Sequence, residues 1–243
     1  MNKLFAACLC AGGLLASPAV AQKRLEIGIT GGATLASLHY SNATENTHGP
    51  RWGFAAGATG VWQPAKHLGL QAALLFMQQG ATQTFRGIDS ADPAQGMVTD
   101  QVRLNYLRLP VCLAYTTGRS GQGLHLAAGP YAALLVGGNR KFTTTTTGTS
   151  QVVTGSVVAA SAYDYSSASN NDVYSRRIDF GLQGGAGYRL GQVLLQLQYA
   201  LGFRDLSPAV VGPQNGTAYE AADRAYSTRT WQASLTYLLP IKK

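Results

Sequence analysis

Near the start of the chain, three residues have the types needed for acyl transfer. His39-Tyr40-Ser41 sets an imidazole two positions from a hydroxyl, and Glu45 follows. On an extended strand, residues i and i+2 share a face. Ser41 is then the candidate nucleophile, His39 the base and Glu45 the group that orients it. A pattern this short also fits a plain polar start to a loop. Metal chemistry finds less support. His39 and His48 have no Cys or carboxylate set around them, no CxxC occurs, and His67 and His125 read as structural, so no metal or other cofactor is implied.

A second kind of chemistry is ionic. Arg51, Arg86 and Arg229 fall where extended segments end, and planar guanidinium groups suit phosphate. Glu26, Arg108 and Asp179 fall among small polar residues inside such segments, as do Arg103 and Arg189. Charges enclosed in a narrow interior must be paired, so a small structural network of ion pairs is expected there.

The elements that position these groups show up as two-residue alternation. Trp231, Ala233, Leu235 and Tyr237 alternate with Gln232, Ser234 and Thr236, and Leu195, Leu197 and Tyr199 alternate with Gln196 and Gln198. This is the period of a β-strand. Eight such segments occur, roughly at 25–37, 51–63, 67–86, 99–116, 122–139, 174–189, 192–205 and 226–239. Most exceed the ~9–11 residues that a tilted strand needs to cross a bilayer. Their connections alternate between short links near 63–66, 117–121 and 190–191 and long ones at 38–50, 87–98, 140–173 and 206–225. Short periplasmic turns and long outer loops mark a transmembrane up-and-down antiparallel barrel, here all-β, of about eight strands with both termini in the periplasm.

Composition separates this reading from a soluble ligand-binding barrel. Charged residues make up only 12% of the chain and there are 29 glycines. The polar phase of the strands is Gly, Thr, Gln, Ser and Ala, which suits a filled interior, and the apolar phase suits lipid. Trp62, Tyr115, Tyr188 and Tyr237 fall near one set of strand ends, and Trp52, Phe85 and Phe203 near the other, as aromatic girdles do. In one strand Val102, Leu104 and Tyr106 are even-numbered whereas Leu107, Leu109, Val111 and Leu113 are odd. A β-bulge near Tyr106-Leu107 would keep both halves facing lipid.

The chain opens with a leader. Lys3, an apolar run over 4–15 and Ala19-Val20-Ala21 form a signal-peptide pattern, giving a signal segment over 1–21 and a barrel domain over 22–243. Cys8 and Cys10 leave with it, so Cys112 is the single cysteine expected in the mature chain and no internal disulfide forms.

A formal charge of +8 raises the question of nucleic acid, but its distribution argues against it. On this topology the outer side is neutral. The excess lies at the periplasmic end, in Lys23, Arg24, Lys66, Arg119, Arg189, Lys242 and Lys243, at the height of anionic headgroups. The outer arginines Arg51, Arg86 and Arg229 are candidate contacts for lipopolysaccharide phosphates. Outer-membrane lipids and the barrel-assembly machinery are the expected partners, nucleic acid is not, and the sequence does not name a small-molecule ligand.

Two stretches resemble the PorT-like outer-membrane β-barrel family common in Bacteroidetes, often labelled a porin family. One is the run 68–81, from Leu68 to Ala81; the other is 105–115, with Tyr106-Leu107 and Pro110 leading to Tyr115. Gly129-Pro130-Tyr131, Asp179-Phe180-Gly181 and Gly185-Ala186-Gly187 match as well. The resemblance implies an outer-membrane barrel with no common activity, and through PorT an assembly or secretion accessory role. The chain departs from the family in ending Pro240-Ile241-Lys242-Lys243 after its last strand, and in the length of its third outer loop. That loop, 140–173, is rich in Thr, Ser, Ala and Asn, and its composition favours disorder.

Three roles follow. An eight-stranded barrel is just wide enough for its own side chains, whereas water-filled porins need about sixteen strands. The first role is therefore a structural or surface-interaction scaffold without an open pore. The second is a lipid A hydrolase working through His39 and Ser41, and the third is the PorT-type accessory role.

Overall fold

A computed structural model describes residues 24–40, 47–86, 97–118, 121–146, 149–164, 171–211, 218–219 and 225–241. The leader expected over 1–21 lies outside them. Eight long antiparallel strands close into a ring: β1 (Arg24–Tyr40), β2 (Thr47–Gln63), β3 (Leu68–Arg86), β4 (Met97–Thr116), β5 (Gly123–Thr146), β9 (Ile178–Leu190), β10 (Val193–Gly202) and β13 (Tyr226–Pro240). Pairing of β1 with β13 completes it, from Glu26 opposite Pro240 to Tyr40 opposite Tyr226. Closure leaves no free edge at membrane depth, which is what lets strands cross hydrocarbon with every backbone group satisfied. Termini and short turns share one end, the periplasmic one.

Alternation decides which side chain faces where. In β13, Thr228, Thr230, Gln232, Ser234 and Thr236 are buried inside, while Trp231, Leu235, Tyr237 and Leu239 are exposed on the outer face. Ile29 is 73% exposed and Trp52 70%, values that an aqueous surface would penalise and a lipid one rewards. Trp62, Tyr115, Tyr188 and Tyr237 stand exposed toward the periplasmic end, and Trp52, Trp231 and Phe203 toward the other.

Strand β4 corrects the sequence reading. Its even-numbered residues face inward along the whole strand, so Leu104, Tyr106, Arg108, Cys112 and Ala114 are all buried. There is no bulge in β4. The extra residue is on β5: Asn105 pairs with Gly137 and Tyr106 with Leu135, which leaves Val136 without a partner on β4. Gly137 has φ of 148°, a backbone state that favours glycine. A second irregularity lies in β2, where the step from Ala55 to Pro50 is one residue longer than the facing step from Met77 to Ala81.

Apolar residues of β4 therefore fill the lumen. Leu38, Leu104, Tyr106, Tyr131 and Leu135 form a buried cluster in its outer half with Ala81, Ala133 and Ala200. Described residues of the third outer loop, Val157 and Val173, close over this cluster. Composition favoured disorder there, yet β5 runs on to Thr146 and pairs with β6 (Thr149–Ala159). The β-branched content of this stretch, Thr143–Thr146 with Val152, Val153 and Val157, explains the outcome. Val157 is buried in the cluster, and Val173 and Tyr226 pack against it.

Above the membrane, β2 to β6 continue as one sheet. Short strands tie the outer loops together: β7 (Ala162–Asp164) pairs with β11 (Ala209–Val211), β11 with β12 (Ala218–Tyr219), and β8 (Val173–Ser175) with β6. The rings of Tyr163 and Tyr174 stack at 4.6 Å.

Candidate functional site

Three places hold the chemistry-bearing residues: the periplasmic half of the lumen, its middle, and the outer face at headgroup height.

At the periplasmic end, β1 and β9 bring Glu26 and Arg189 together. The carboxylate accepts from Arg189 Nη1 at 2.5 Å and from Nη2 at 2.6 Å, and Arg24 lies 2.7 Å away. Glu26 is wholly buried and the Arg189 side chain is 2% exposed. Both charges are on the inward phase because their positions in β1 and β9 leave no other face. Next to them runs a neutral network. Gln71 donates to Gln196 at 3.0 Å, and His125 lies between Gln71 Oε1 at 2.9 Å and Thr116 at 3.0 Å. Thr30 bonds both Thr59 and Thr236.

In the middle of the lumen Arg108 is 1% exposed. Its guanidinium carbon sits 3.5 Å from the centroid of the Tyr131 ring, and Nη1 points at Met77 Sδ, 3.3 Å away. The Tyr131 hydroxyl donates to Asp179 at 3.2 Å, and Thr228 donates to the same oxygen at 2.8 Å. Arg108 and Asp179 thus communicate through one tyrosine, with no direct ion pair among the described residues. Arg108 Nε and Nη2 and Asp179 Oδ1 have no hydrogen-bond partner there. The structure separates Glu26 from Arg108 and Asp179, which sequence had grouped. It places Arg189 inside, and Arg103 on the other phase of β4, half-buried.

Tyr131 carried no charge signal in the sequence; its inward phase in β5, level with Pro110, was the available clue. Asp100 and Arg140 were equally missed. They form a two-pronged pair at 2.6–3.1 Å near the outer mouth, and the β5 bulge is what turns Arg140 inward.

On the outer face, Arg229 is exposed two residues beyond Trp231 on the same side of β13. Arg51 is half-buried, beside Trp52, and reaches Gln101 at 3.4 Å. Its neighbour of like charge is Arg103. Arg103 pairs across the ladder with Gly80, which has no side chain to separate the two arginines. Among the described residues none of these three has a carboxylate within salt-bridge reach. The side chain of Arg86 lies outside the described residues. His39 is exposed at the outer end of β1, opposite Ser227; Ser41 and Glu45 lie outside the described residues. Among the described residues, no three His, Cys, Asp or Glu side chains converge as metal ligands would.

A closed ring of eight antiparallel strands, apolar and ringed by aromatics outside and tightly filled within, defines an integral outer-membrane β-barrel. The chain belongs to the family of the outer membrane protein beta-barrel domain, whose model matches residues 19–207. Its location is the outer membrane. No curated protein matches the chain in sequence. Among solved structures, it is similar to Ail, the attachment invasion locus protein of Yersinia pestis, at 11% identity and a TM-score of 0.41, covering 88% of this chain and 98% of that one. Neisserial surface protein A gives 11% and 0.40, covering 87% and 96%. OprG of Pseudomonas aeruginosa gives 13% and 0.38, covering 90% and 98%. Likeness of this degree leaves the fold resting on the ring of strands itself.

Proposed function

We propose that this protein is a sealed scaffold of the outer membrane. It makes its contacts from its surfaces, to lipopolysaccharide around it and to the exterior through the sheet above the membrane, and passes no solute. The observation that carries this reading is the filling of the lumen. The gap framed by Thr30, Gln71, Cys112, Gln183 and Gln232 amounts to ≈ 10 Å³, about the room of one water. Beyond it the apolar cluster and Val157 stopper the outer mouth.

Lipopolysaccharide is the proposed partner of Arg51, Arg86 and Arg229. A lipid-facing Arg costs about 2–4 kcal/mol at the bilayer midplane and about 0–1 near the interface, so these positions tolerate charge and gain from a phosphate. Insertion by the barrel-assembly machinery belongs to the same reading. Placement in the PorT-like branch is supported by the motifs of 68–81 and 105–115.

Reconstitution in a planar bilayer tests the scaffold. The expected record shows no steady conductance steps; stable open channels in the intact protein would overturn it.

A further inference from the structure

The outer face is not uniformly covered. On the side formed by β9, β10, β13 and β1 lies a shallow groove of ≈ 530 Å³. It exists because Gly31, Ala186 and Ala233 are small where Leu195, Leu197 and Leu235 around them are large. The ladder sets these residues side by side: Gly31 pairs with Leu235, Leu197 with Ala233 and also with Ala186. All are at hydrocarbon depth, between the two aromatic girdles.

Above the groove, beyond Ala233 that lines it, the face is built differently. On β13 the same outward column continues from Ala233 to Trp231 and then Arg229. Trp231 leans on Tyr199 with ring centroids 4.6 Å apart. Arg229 is exposed above them, between Ser37 and Leu201 of the neighbouring strands. Ala233 is then roughly 13 Å along the strand from Arg229, at about 3.3 Å per residue. A cation at headgroup height, an aromatic ledge and an apolar trough in one column match one kind of molecule: an anionic headgroup with a long hydrocarbon tail.

We propose that this groove holds one acyl chain of a phosphate-bearing outer-leaflet lipid, with its phosphate on Arg229. The inference rests on the lipid-contact reading of Arg229 above and adds a seat for the chain. The occupant is lipopolysaccharide, the phosphate-bearing lipid that the reading above sets against Arg229.

The test purifies the full-length protein from outer membranes in a mild detergent and measures retained lipid by native mass spectrometry and phosphorus analysis. Gly31→Leu is the deciding variant. A Cβ at Gly31 meets nothing within 4 Å, so the new side chain fills the groove without moving the backbone. Ala233→Leu fills it independently. Both are expected to lose the retained lipid while keeping the heat-dependent gel shift of a closed barrel. Arg229→Gln is expected to weaken retention about tenfold, the loss of one charge-assisted hydrogen bond. The mass of the lipid distinguishes lipopolysaccharide, which supports the proposal, from a glycerophospholipid, which overturns it. Unchanged retention in both filled variants overturns the groove. If Arg229→Gln alone then loses lipid, the phosphate contact stands without it. A retained lipid lacking phosphate, or a change of oligomeric state on filling Gly31, would also overturn the proposal, the latter by assigning the groove to a second copy.

Discussion

Glu26 and Arg189 show what a residue contributes when a barrel encloses it. Each alone would be an intolerable charge in the lumen; together, at 2.5 and 2.6 Å, they bind β1 to β9 across the interior. Removing one partner of such a pair costs about 3–5 kcal/mol, because the other is left buried and uncompensated, whereas replacing both by apolar residues is often neutral. Glu26→Gln is therefore expected to lower the urea midpoint of the heat-dependent gel shift markedly, and Glu26→Leu with Arg189→Leu to restore most of it. An unchanged midpoint in the single variant would show that the pair is not what holds this end closed. The presence of Glu26, Arg108 and Asp179 inside was legible from strand phase. Their partners were not, because phase assigns a face and says nothing of height. Glu26 and Arg189 are 163 positions apart, and only the register of the closed ring brings them level.

At the scale of elements, β4 and β5 carry the main lesson. Strand existence and order followed from alternation, and each of the eight ring strands overlaps one of the segments expected. The apolar phase of 102–106 was misread because lipid was taken to claim every large apolar residue. Val102, Leu104 and Tyr106 instead face the lumen, where loop residues cover them. The bulge is one strand away, at Val136. It sets the phase of everything beyond it: past Gly137 the inward residues of β5 change from odd to even, which brings Arg140 to Asp100. Deleting Val136 restores an unbroken ladder and turns Arg140 outward. That variant is expected to assemble its membrane part, lose the Asp100–Arg140 pair and expose the outer sheet to protease at 140–159. Protease resistance equal to the parent would contradict a phase-setting role for the bulge.

As a whole molecule, the barrel is a closed wall around a packed interior, and on the proposed function its contacts are made from its surfaces. Filling is graded: ion pair and amide network at the periplasmic end, a cation–π and hydroxyl relay in the middle, apolar stopper at the outer mouth. The closed cylinder was legible from strand number and loop asymmetry. The stopper was not, since Val157 and Val173 belong to a loop whose composition pointed to disorder and whose order comes from pairing with β5 and packing on the cluster beneath. Cys112 makes the sealed lumen directly measurable. It faces inward between Gln183 and Gln71, its ladder partner on β3, and is 2% exposed. Intact protein in outer-membrane vesicles should be treated with a membrane-impermeant maleimide and Cys112 modification read by peptide mass. A sealed lumen leaves Cys112 unmodified until the barrel is unfolded by heat in detergent. Rapid labelling of the folded barrel would mean that water and solutes reach the middle of the lumen, and would contradict the account.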